Sequence, residues 1–87
     1  MNIRKLARGQ ECTLRLPEVC NWDSETVVLH HVRRSWNSGI GQKPPDTHGI
    51  FVCSACHAYC HGPIQVDGWW VVDAILRTRD ILDGNDD

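Results

Sequence analysis

Cys53-Ser-Ala-Cys-His-Ala-Tyr-Cys-His61 is the stretch that decides the fold. Two thiols with two residues between them make the turn from which a tetrahedral zinc ion is usually held. A wider pair, Cys12 and Cys20, brings the set to four sulfurs, enough to close a zinc shell, and the turn around Pro17 can carry both to one point. The alternative is a set of buried free thiols. The chain has five cysteines, and an odd count argues against a closed disulfide framework. At 87 residues it reads as one domain, 1–87, whose small core gains from a structural metal.

Working outward, His57 and His61 are four residues apart, so they share one face of a helix and can chelate a single cation. Each residue of a helix advances by about 100°, so Cys56 and Cys60 face a different way. One short helix can therefore present Cys56 to zinc and two imidazoles to a second metal, leaving Cys60 as a spare thiol or a substitute ligand. Upstream, Thr26-Val-Val-Leu-His-His-Val-Arg33 is the best strand, β-branched and uninterrupted. His30 and His31 on it point to opposite sides, so a shared role needs a bend or a strand end there. Taken singly, each of these histidines is equally an ordinary surface residue.

The remaining elements follow from local signals. Arg4 to Arg8 makes a helical turn closed by Gly9, and Cys12 to Pro17 alternates weakly as a short strand. Glu18 to Glu25 is a polar loop. Ser35 to Asp46 is a long loop, marked by Gly39, Gly41 and Pro44-Pro45. A second strand covers His48 to Val52, and Ser54 caps a helix that Gly62-Pro63 stops. From about Gly68 to Leu82, the apolar positions Val72, Ile75, Leu76 and Leu82 fit a closing helix with Arg77 and Asp80 outside and Trp69-Trp70 packed in the core. Residues 83–87 read as a frayed acidic tail. The predicted class is α+β.

The net charge is −2, but its distribution is uneven. Residues 1–45 carry seven Lys/Arg against four acids, and residues 46–87 carry two against seven. The first half suits a polyanion, although a chance asymmetry on a solvated surface reads the same way. The basic N-terminus has no apolar run behind it, so neither a signal peptide nor a membrane span is expected. The chain is expected to be cytoplasmic with reduced thiols.

Leu29-His-His-Val-Arg33, the long Gly-containing loop and the Cys53–His61 run together resemble the HNH, or ββα-metal, nuclease motif. Ala7-Arg-Gly-Gln-Glu-Cys12, Pro17-Glu-Val-Cys20 and Lys43-Pro-Pro-Asp46 resemble more specifically the small phage and prophage YbcO-type nucleases, related to the RecA-dependent nuclease Ref. The resemblance covers residues 3–82. It implies a zinc-stapled ββα-metal domain and an endonuclease cutting DNA phosphodiesters, linked to recombination; a recombinase partner and a homodimer, which would give a small nuclease two cuts, are left open by the sequence. His31 would be the general base, and His30, His57 and His61 ligands of a catalytic Mg2+ or Mn2+ ion. Cys12, Cys20, Cys53 and Cys56 would hold structural Zn2+. Asp46 stands best for the central Asn of the motif, ahead of His48 and Asn37. Arg4, Lys5, Arg8, Arg33, Arg34 and Lys43 would contact phosphates.

Two rivals fit part of the pattern. Cys-x-x-Cys-His is also the attachment motif of c-type haem, but that leaves Cys12 and Cys20 unexplained. A zinc module that binds DNA or a partner protein without cutting explains the cysteines and the basic half, and leaves the four histidines without a task. Trp36, beside Arg33-Arg34, is the best candidate for a base-stacking contact.

Overall fold

The computed structural model describes residues 2–33, 36, 44–63 and 65–84. Arg34, Asn37 and Lys43, singled out above, lie outside them. The chain forms α1 (Ile3–Ala7), β1 (Val28–His31), β2 (Gly49–Val52), α2 (Ser54–Cys60) and α3 (Gly68–Gly84), with 3₁₀ turns at Ser24–Thr26 and Asp46–His48. β1 and β2 pair antiparallel, with Leu29 opposite Phe51, His30 opposite Ile50 and His31 opposite Gly49. The result is a small α+β domain with two antiparallel strands and a C-terminal helix, as the sequence reading expects. Among the described residues, no helix is long and apolar enough to cross a membrane.

The core gathers Leu14, Leu16, Val27, Ile50, Phe51 and Val52 around Cys53, Cys56 and Ala74. β2 carries three of its largest side chains, and α1 and α3 flank the two-stranded sheet. The free edge of β2 is the place where such a sheet would expose unpaired backbone. Two buried threonines satisfy it. Thr78 Oγ1 accepts from Phe51 N at 3.2 Å and donates to Thr13 Oγ1 at 3.1 Å. Thr13 Oγ1 and Thr13 N both donate to Phe51 O, at 2.6 and 2.7 Å. Arg77 closes the seam by donating to Thr13 O at 2.9 Å. A buried hydroxyl costs free energy unless bonded, and here both are bonded completely.

Several expectations are corrected. Cys12 to Pro17 is not a strand but a pair of turns, with Arg15 at φ 51° and Glu18 at φ 63°. Arg15 N turns to Cys12 Sγ and Thr13 N to Phe51 O of β2, a contact too short to continue as a ladder. The helix α2 is capped by Cys53, whose Sγ accepts from Cys56 N, and Ser54 is its first residue. Asp83 and Gly84, expected in a frayed tail, belong to α3, which runs to Gly84; residues 85–87 lie outside the described residues. The largest difference is the face of α3. Ala74 and Thr78 are its buried residues, while Trp69, Val72, Ile75 and Leu76 face outward. Small residues let the helix approach the edge of β2 closely enough for the threonine bonds, which bulky ones would block.

Candidate functional site

Two clusters of metal-competent side chains are built around α2. In the first, the sulfurs of Cys12, Cys20, Cys53 and Cys56 all lie within 4.8 Å of one another. Cys53 Sγ and Cys20 Sγ are 3.8 Å apart, far beyond a disulfide bond of about 2.05 Å. A tetrahedron with Zn–S bonds of about 2.3 Å has edges of about 3.8 Å. The set therefore fits zinc.

The backbone is shaped to this purpose. Arg15 N points at Cys12 Sγ (3.5 Å), Trp22 N at Cys20 Sγ (3.4 Å) and Cys56 N at Cys53 Sγ (3.3 Å). N–H groups aimed at sulfur stabilise thiolate charge. Arg15 and Trp22 reach this geometry in the left-handed region, at φ 51° and 57°, which costs a side-chain-bearing residue about 1–2 kcal/mol. Burial opposes ionisation of Cys53, but bonds from Cys56 and Asn21 and the neighbouring thiols outweigh it and bring it down to about 7. Burial instead pushes Cys20 up to about 11 and Cys56 higher still. Cys53 thus sheds its proton more readily than Cys20 or Cys56. Cys60 is partly buried against the core, outside both clusters, and burial raises its thiol too.

In the second cluster, ring nitrogens of His30, His57 and His61 lie within 4.8 Å of one another. His57 and His61 place their Nε2 atoms 3.2 Å apart. That spacing suits neighbouring ligands of one ion, for which bonds of about 2.1 Å give about 3.0–3.4 Å. The three rings meet edge-on, with His30 centred 5.4 Å from His57 and 5.5 Å from His61. Burial, reinforced by the other imidazoles, drops His30 to about 4, and burial lowers His57 also. Both are neutral near pH 7, the form that binds metal. The trio opens on a cleft of about 550 Å³, walled by Leu29, His31, Arg33 and Val66.

β1 ends at His31, which gives the strand end that two neighbouring histidines require if they are to work on one cleft. His31 Nε2 donates to Asp46 Oδ1 at 2.7 Å. That bond chiefly holds the Asp46 carboxyl below its ordinary value, and Arg4, with Nε 3.5 Å away, adds to it. Of the two described candidates for the central Asn of the motif, Asp46 therefore stands at His31. His48 instead offers its backbone oxygen to Val32 N, at 3.0 Å.

Sequence reasoning missed Gly49. It faces His31 across the sheet, and a Cβ there would lie 2.5 Å from Leu29 Cδ1 and 3.1 Å from Asp46 O. The absence of a side chain at Gly49 lets the Asp46 turn close down on β1 without displacing Leu29 or the Asp46 carbonyl. A glycine directly after a histidine at a strand entrance was the available signal.

Four of the six basic residues singled out in the sequence come together. Arg4, Lys5, Arg8 and Arg33 line a second cleft of about 800 Å³ that shares His31 and Leu29 with the first. Arg34 and Lys43 are outside the described residues. Trp36 is exposed, with its ring edge-on to His48 at 5.5 Å.

Comparison with known proteins places this arrangement in a lineage. The chain is 52% identical over 56 residues to proteins called "Putative nuclease YbcO" in Escherichia coli K12 and in Enterobacteria phage 82. The match covers 64% of this chain and 58% of each relative, so the aligned part spans less than two thirds of their length. A solved structure of a bacteriophage protein from Escherichia coli K-12 MG1655, described as putative, superposes with a TM-score of 0.69 at 36% identity, over 93% of this chain and 95% of that one. The family model described as "Putative nuclease YbcO" matches residues 1–86, and the chain belongs to that family.

Proposed function

We propose that the chain is a metal-dependent endonuclease of the HNH type that hydrolyses DNA phosphodiesters. The observation that carries this reading is the shared cleft. His31, bonded to a carboxylate, stands beside three converging imidazoles, and four cations line the groove that leads to it.

Arg4, Lys5, Arg8 and Arg33 draw the phosphate backbone along the groove, with little discrimination among sequences. Asp46 fixes the ring of His31 through Nε2, so Nδ1 is the nitrogen that takes a proton from water. The water oxygen then bonds to phosphorus as the bond to the 3′-oxygen breaks, and the leaving oxygen takes a proton from solvent, giving 5′-phosphate and 3′-hydroxyl ends. A divalent cation, Mg2+ or Mn2+, held by His30, His57 and His61 would supply Lewis-acid stabilisation of the charge that builds on phosphate and leaving oxygens. Cys12, Cys20, Cys53 and Cys56 would hold a structural zinc that ties α2, and with it His57 and His61, to the core.

The family name supports nucleic acid as substrate. The relative in Enterobacteria phage 82 supports a phage-linked role, and a recombinase is the partner to test first. The experiment is nicking of supercoiled plasmid by zinc-loaded protein with and without Mg2+ or Mn2+. Metal-dependent nicking that disappears in His31→Ala, with DNA binding kept, is expected. Equal inertness of both proteins with binding intact would instead support a zinc module that binds without cutting.

A further inference from the structure

A smaller pocket of about 230 Å³ lies beside the histidine cleft and has no task in the mechanism above. It is lined by Trp36 beyond β1, by Thr47 and His48 in the turn into β2, and by Val72 and Ile75 on α3. Val32, Gly68 and Val71 belong both to its wall and to that of the histidine cleft, so the two are continuous. We propose that this pocket receives one unpaired base of a DNA strand whose phosphates lie at the histidines and Arg33.

The inference rests on the proposed path of a DNA backbone through the cleft, and adds that the strand is unpaired there. Size favours a single base. The pocket falls below the roughly 300–1,000 Å³ of sites for drug-sized ligands, which suits one flat ring system. Its chemistry agrees. Trp36 offers an aromatic face, Val72 and Ile75 add apolar surface, and the Thr47 hydroxyl can donate to or accept from a base edge. Among the described residues no acidic side chain lines the pocket to repel the flanking phosphates. Position selects a base over an apolar side chain of a partner protein. Val32 lines the pocket, and the next residue, Arg33, lines both the histidine cleft and the basic groove. Neighbouring residues thus meet the base and the phosphate of one strand. A base within a duplex is paired and stacked, so it reaches the pocket only after opening, a cost that a single strand avoids. Trp36 alone would be a stacking surface. The walls from α3 and the turn before β2 make it a pocket, and give the exposed Val72 and Ile75 a use.

Fluorescence anisotropy on the zinc-loaded full chain, with no Mg2+ or Mn2+ added, tests this without cleavage. The probes are a labelled single strand, the same strand with a run of abasic sites at its centre, and the intact duplex. The single strand should bind at least about tenfold tighter than either of the others, although the duplex carries the denser charge. Trp36→Ala should cost the single strand about tenfold in affinity and Ile75→Ser about threefold. Duplex affinity, zinc content and circular dichroism should stay unchanged in both. Equal affinity for intact and abasic strands, the result if a protein side chain or a second copy fills the pocket, would overturn the proposal. So would single-strand affinity indifferent to both substitutions, or equal losses on single strand and duplex. Plasmid nicking without a preference for bases removes the pocket and leaves the nuclease, whereas that preference without nicking does the reverse.

Discussion

The cysteine cluster and the histidine cluster share α2 and differ in closure. Cys12, Cys53 and Cys56 are buried and all four sulfurs receive backbone N–H groups, two of them delivered by left-handed residues. His57 and His30 are only half-buried, His61 is exposed, and all three border a cleft. A metal site with every ligand position filled and shielded serves the fold, whereas one with open positions serves chemistry. One seven-residue helix thus joins a closed cluster to an open one, and its cap, Cys53, is itself a member of the first.

That contrast can be broken from either side. The largest effect is expected at the sulfurs. Cys53→Ser should unfold the domain, because a structural zinc site contributes on the order of 10 kcal/mol, more than the whole net stability of a chain this small. Cys60→Ser, in the same helix but outside the cluster, should leave the unfolding temperature nearly unchanged. His31→Ala should fold normally and lower the nicking rate by about 10²–10⁴-fold, the usual worth of a positioned base. Asp46→Ala should cost about 10–100-fold, since it removes orientation and leaves the base. An unchanged rate in single-turnover assays would detach Asp46 from the site.

Smaller effects probe the supports. Gly49→Ala should destabilise by about 1–3 kcal/mol in denaturant titration, because the added methyl meets Leu29 and the Asp46 carbonyl. It should also slow nicking by loosening the Asp46–His31 bond. The smallest effect is a pH dependence. His30 falls from 6.5 to about 4 on folding, so the unfolded chain binds more protons in that window. Without an ion at the histidines, stability is full above about 6.5 and declines as the pH falls toward 4. His30→Asn should flatten that part of the profile in urea midpoints.

Much of the site was legible in the sequence because it rests on short-range periodicity. The spacing of His57 and His61 and the alternation of His30 and His31 follow from helix and strand geometry alone, and the strand ends where it must. The link between Cys12 and Cys20 was legible only as a possibility, since seven intervening residues do not fix a turn and Arg15 and Trp22 adopt a conformation that composition does not announce. The face of α3 was misread. Hydrophobic periodicity marks the apolar stripe, but burial went to Ala74 and Thr78, whose value is close approach and two hydroxyl bonds rather than apolar area. Polar satisfaction of a sheet edge overrode hydrophobicity there.

The division of labour between the two clusters is tested most directly by chelation of the zinc-loaded protein with EDTA, followed by metal analysis, circular dichroism and plasmid nicking on the same sample. One zinc per chain should remain with the fold intact while nicking disappears, and added Mn2+ should restore it. Loss of fold and nicking together at the same chelator concentration, or nicking that survives with the cysteine-bound zinc alone, would contradict the assignment of separate tasks to the sulfurs and the imidazoles.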